Sequence, residues 1–151
     1  MRLELNPPVS AGPVQIGMRP DDVTRALREI PGHLEPAPGE ARQPGFGHYE
    51  SGMSISAGPG RSGVVEAIEI YRPTVDVQVV YRDLDVFNTP AQEVIERLSG
   101  MTTLSIEDEG LLVVAPELLM SLWRPVLPED DDDEDGRYFD SVLVAAPGYY
   151  G

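Results

Sequence analysis

Seven consecutive carboxylates, Glu129-Asp130-Asp131-Asp132-Asp133-Glu134-Asp135, form the densest chemistry in the chain. A run of this kind is ordinarily a solvated, flexible loop that keeps a protein soluble. Its second use is docking: a concentrated negative patch steers a basic partner toward contact, and the effect weakens as salt rises. Its third is cation binding. Asp131, Asp133 and Asp135 followed by Gly136 match the first, third, fifth and sixth positions of an EF-hand loop, but the twelfth position, which needs a bidentate glutamate, falls on Val142. No helices are predicted on either side, so no metal is assigned to the loop, taken as 128–136.

Two further carboxylates stand out by position. Glu66 and Asp140 occupy equivalent places in two similar stretches, on the same strand face as Ile68/Ile70 and Val142/Val144. Two inward carboxylates could form an acid/base pair or hold a metal. More commonly such residues sit at a strand end and pair with an arginine, here Arg61 or Arg137. The only histidines, His33 and His48, show no metal spacing. His48 with Glu66 and Asp140 makes one alternative pocket, between helices and sheet, for a small ligand or for catalysis. No nucleophile elbow, phosphate-binding loop or dinucleotide fingerprint accompanies them, so neither an enzyme nor a cofactor is expected. Trp123, the sole tryptophan, stands beside Arg124-Pro125 at the end of an apolar strand. It reads first as a core anchor and second as a binding hot spot. Tyr149-Tyr150 reads as a docked tail.

Composition narrows the partners. The chain has 151 residues, 26 acids against 11 bases and a formal net charge of −15. A bare phosphate backbone would repel it and a basic protein would be drawn to it, so nucleic acid is not an expected partner. Every base is arginine, which reads as the codon bias of a GC-rich bacterial genome. There is no cysteine, hence no disulfide framework and no thiolate chemistry. No signal-like segment and no apolar run long enough to span a membrane is present, which makes the cytoplasm the expected compartment. At this length a single domain buries roughly two-thirds of its unfolded surface.

The elements that must position these residues follow from periodicity. Val23, Ala26, Leu27 and Ile30 recur at helical spacing behind Pro20-Asp21-Asp22, where proline fits the first position and the aspartates fit the positive end of the dipole. That predicts a helix over 20–30. Ala91, Val94, Ile95 and Leu98 repeat the pattern behind Thr89-Pro90-Ala91-Gln92, which reads as a capping box. Residues 1–13, with Leu3, Leu5 and Pro7-Pro8, suit an edge strand or arm, and 31–47 a loop. Alternation predicts a hairpin from Met53–Ser56 into Val64–Ile70, a third strand over Val75–Tyr81, and a hairpin from Thr103–Ile106 into Leu111–Ala115. A last hairpin runs from Leu119–Trp123 into Tyr138–Val144.

Setting Ser54 on Ser121 and Glu66 on Asp140 places Ile68 and Ile70 on Val142 and Val144. The layout of helix, meander, helix, meander then reads as a degenerate tandem repeat, about 12–82 and 83–147, within one domain. The expected fold is α+β: one antiparallel sheet with both helices on one face.

Gly12-Pro13-Val14-Gln15-Ile16-Gly17-Met18, then Asp22-Val23 and Leu27, resembles the opening of the SmpA/OmlA family, in which a Gly-Met pair leads into a helix and then a β-meander. The tandem layout is similar to that of the β-lactamase inhibitory protein, which is built from two such units. The close match covers about 16 residues, and the rest is layout. The lipoprotein cysteine of the first group and the disulfides of the second are absent. What the resemblance implies is a small protein-binding scaffold, usually without catalysis.

The reading that results is an acidic, non-enzymatic protein-binding module, an immunity or inhibitor protein that caps a basic toxin or enzyme. The acidic loop would steer the encounter and Trp123 would supply dry contact. The alternatives are a ligand-binding protein or enzyme using the Glu66/Asp140/His48 pocket, and a homodimeric structural protein. A monomer or weak homodimer is expected.

Overall fold

A computed structural model describes residues 1–40, 45–75, 77–130 and 132–149. Among them are two α-helices and twelve strands. In chain order these are β1 (Arg2–Asn6), β2 (Ser10–Ala11), β3 (Val14–Gln15), α1 (Pro20–Glu29), β4 (Phe46–His48), β5 (Ser54–Ser56), β6 (Ala67–Tyr71), β7 (Gln78–Tyr81) and β8 (Leu84–Asp85). Then come α2 (Ala91–Ser99), β9 (Ser105–Glu107), β10 (Leu112–Ala115), β11 (Met120–Trp123) and β12 (Ser141–Ala145). No helix among these residues is long and apolar enough to cross a membrane.

The α+β class is as expected, but the strands form two sheets rather than one. Seven lie in the order β4-β5-β6-β12-β11-β10-β9 and five in the order β3-β2-β1-β7-β8. The third strand of the first meander was expected to extend the larger sheet. It cannot, because both edges of β6 are already occupied by β5 and β12. Instead β7 pairs in parallel with β1, Leu3 opposite Val79. This makes β1 the middle strand of the smaller sheet rather than an edge. Pro7-Pro8 is compatible with that place because it lies in the turn after β1 and removes no ladder donor.

The local elements follow their sequences. In α1 the stripe Val23, Ala26 and Leu27 is buried, and Pro20 opens the helix. In α2 Ala91, Val94 and Leu98 are buried. Its capping box does not form: Pro90 takes the cap position and no side-chain cap bond is made. The Ala91 N–H instead donates to the Arg137 carbonyl at 2.8 Å, tying the start of α2 to the residues that follow the acidic run.

In the larger sheet β6 and β12 pair antiparallel at the centre, with Ile70 opposite Val142 and Ile68 opposite Val144. All four are buried, and they join both helix stripes and Leu3, Leu5 and Val79 of the smaller sheet in one continuous core. Because side chains alternate along a strand, the residues between them, such as Glu69, Tyr71 and Leu143, point the other way.

Candidate functional site

Strand parity builds the outward surface of the larger sheet. Met120 and Leu122 join the core, so Ser121 and Trp123 take the opposite face of the strand, where Trp123 is exposed and Ser121 is covered. Pairing carries that face across the sheet: Ser54, Tyr71, Ser141, Trp123 and Leu112 are successive partners in one row. Trp123 is 42% exposed and Tyr71 40%. The core role first expected for Trp123 is therefore corrected. Its ring lies outside, on the side of the sheet that the helices and β1 leave uncovered at this position.

Both rings bound one cleft of about 520 Å³, closed by Arg72, Pro73, Thr74 and Asp140. An adjoining cleft of about 350 Å³ shares Arg72 and Asp140 and is also lined by Glu134 and Asp135. The aromatic surface thus opens directly onto the acidic run. The Tyr71 hydroxyl donates to Glu69 Oε1 at 2.7 Å. That bond, with partial burial, pushes the Tyr71 phenol up to about 12 and keeps it protonated. The Arg72 guanidinium is turned onto the Tyr138 ring, 4.4 Å from its centroid.

The described residues of the acidic run are tied to one another by hydrogen bonds. The Asp133 carboxylate accepts the N–H groups of Glu129 at 3.0 Å and Asp135 at 2.9 Å. These bonds hold its pKa below the usual carboxylate range. Asp130 Oδ1 accepts the Asp132 N–H at 2.9 Å, and Glu134 pairs with Arg137 at 3.1 Å. Asp131 lies outside the described residues. Among those described, no three ligating side chains converge on a metal site.

Beneath the run lies Arg124, only 6% exposed. Its Nε donates to the Gly110 carbonyl at 3.1 Å and its Nη1 to the Gly136 carbonyl at 2.9 Å. Its Cζ is 5.4 Å from the Phe139 ring. Burial lowers its pKa, yet an arginine stays charged. It and Arg137 line a cleft of about 570 Å³ together with Asp130 and Asp133. Gly136 completes the corner with φ at 77°, where a Cβ would collide with the Val126 carbonyl.

The other pocket expected from sequence does not assemble. The Glu66 carbonyl accepts from Ala146 and the Asp140 carbonyl from Arg72, so the two acids mark opposite ends of the β6–β12 ladder. Glu66 bonds Ser62 Oγ at 3.0 Å and lines a separate cleft with Glu69, Leu143 and Tyr149. Arg137, a proposed partner for these acids, is taken by Glu134. His48 Nδ1 meets Ser54 Oγ at 2.9 Å on the neighbouring strand, three strands from β12. His33 lies near Glu35 at 3.5 Å and packs edge-on against Tyr49. Sequence reasoning missed Tyr71, Arg72 and Tyr138. Tyr71 shares the parity of Glu69, which alone would have placed it outward.

No protein-family model matches the chain, and neither a curated protein nor a solved structure matches it.

Proposed function

We propose that this chain is a non-enzymatic, acidic protein-binding module whose partner is a basic protein, acting as an immunity or inhibitor protein does on a toxin or enzyme. The observation that carries the reading is the contiguity of an exposed aromatic pair, Trp123 and Tyr71, with the acidic run through Arg72 and Asp140. Exposed aromatic anchors supply affinity, and a fixed carboxylate array supplies steering. The ligand-pocket alternative loses its support with the separation of Glu66, Asp140 and His48. Self-association works against a net charge of −15.

The tandem layout belongs to the same proposal. Three strands, β4-β5-β6, meet β12-β11-β10 in mirrored order about the central ladder, as two copies of one meander would. The resemblance to two-unit inhibitor scaffolds is of this kind.

The test compares three immobilised baits in a lysate of the source organism: the native chain, the chain with Glu129–Asp135 changed to Gln and Asn, and Trp123→Ala. A basic protein held by the native bait, released by salt and lost from both variants supports the reading. Capture that neither variant alters overturns it.

A further inference from the structure

We propose that the cleft between Trp123 and Tyr71 receives the guanidinium of an arginine on the partner, a deepening that rests on the protein-binding reading above. The cleft offers what such a group needs. Two aromatic rings bound it, and each attracts a cation held within about 6 Å of its centroid. Asp140 lines the same cleft. Among the described residues, no hydrogen bond or ion pair engages its carboxylate, and Arg137, the nearest arginine in sequence, is committed to Glu134. A planar fork of donors satisfies a carboxylate in two bonds while its faces stack on rings, which a lysine cannot do.

The surroundings set the charge of the visitor. Arg72 lines the cleft, but its guanidinium lies over Tyr138, and Asp140, Glu134 and Asp135 outnumber it around the shared opening. The protein treats its own arginines in the same manner: Arg124 stands 5.4 Å from the Phe139 ring and Arg137 5.9 Å from that of Tyr138. The volume of about 520 Å³ accommodates one long side chain with its backbone outside. A second copy of this chain would bring an arginine only with its own negative charge.

The sole tryptophan reports on the site directly. The native chain is titrated with a short arginine–glycine peptide, with the same peptide carrying citrulline, and with the lysine peptide, at matched ionic strength, following Trp123 emission. A saturable change is expected with arginine, at least tenfold weaker with citrulline and several-fold weaker with lysine. Asp140→Asn should weaken the arginine response about tenfold while leaving the fold intact, because the backbone bonds of Asp140 remain. Anisotropy of a labelled peptide extends the test to Trp123→Leu and Tyr71→Ala, which should each lose binding. No emission change, or equal responses to arginine and citrulline, overturns the proposal, and an equal lysine response overturns the choice of guanidinium. If the peptides fail while the native bait still captures a basic protein that Trp123→Ala loses, the binding module stands and only this assignment falls.

Discussion

Arg124 donates to the carbonyl of Gly136 across 2.9 Å, and through that bond a buried cation holds the far end of the acidic run. Arg124→Met should strand the carbonyls of Gly110 and Gly136. The expected loss is about 3 kcal/mol in urea unfolding, with faster proteolysis between 128 and 136. Arg124→Lys should recover only part of this, because one ammonium cannot span Gly110 and Gly136 as a guanidinium fork does. A loss below about 0.5 kcal/mol in the methionine variant would remove the clamp from the account.

Trp123 and Ile70 should separate binding from folding. Ile70 is 1% exposed, and Ile70→Ala should cost about 2–5 kcal/mol by leaving a cavity in the central ladder. Trp123→Ala should cost less than about 1 kcal/mol, since surface changes rarely cost more, yet it should abolish partner capture. Denaturant curves on the two variants check the first contrast, and bait capture checks the second.

Tyr71 should titrate well above an ordinary phenol. Its pKa is raised to about 12, first by the bond to Glu69 and then by desolvation. The folded chain therefore holds this proton more tightly than the unfolded chain. The resulting stabilisation is complete below about pH 10 and is lost as pH rises toward about 12. Ultraviolet titration of the native chain against Tyr71→Phe should show the missing phenol as a step delayed toward about 12.

Asp133 should have the opposite sign. Its pKa is lowered by the amides of Glu129 and Asp135. The order it gives the loop is present above the usual carboxylate range and lost as pH falls through the lowered value. Amide exchange at Glu129 and Asp135 should quicken several-fold in Asp133→Ala at neutral pH. In the native chain it should quicken only in acid.

Much of this fold is legible where the deciding interactions are local. The stripes of α1 and α2 repeat every three to four residues, and the β9–β10 and β10–β11 hairpins are closed by short connections, so neighbouring residues carry the information. The two-sheet division was hidden because β1 and β7 pair across most of the first half, and β1 offers only Leu3 and Leu5 as a signal. The separation of Glu66 from Asp140 was hidden for a related reason. Equivalent positions in two similar strands fall at opposite ends once those strands pair antiparallel with each other. Trp123 was readable in principle, since Met120 and Leu122 fix its parity. Its place at an apolar strand end drew the eye to its size rather than to its register.

The parallel pairing of β1 with β7 also imposes an order of assembly. Hairpins such as β5–β6 and β10–β11 close over few residues and can form early, whereas Leu3 meets Val79 only after a helix and a meander lie between them. Closing so long a loop is slow, because its entropy is lost before any contact compensates. Until β1 arrives, β7 carries a bare row of amides and carbonyls that any extended segment can join. Refolding at high concentration should therefore lose material to aggregation at this seam, and the aromatic face waits on a pairing of the same reach, because Tyr71 meets Trp123 only through Ser141 of β12.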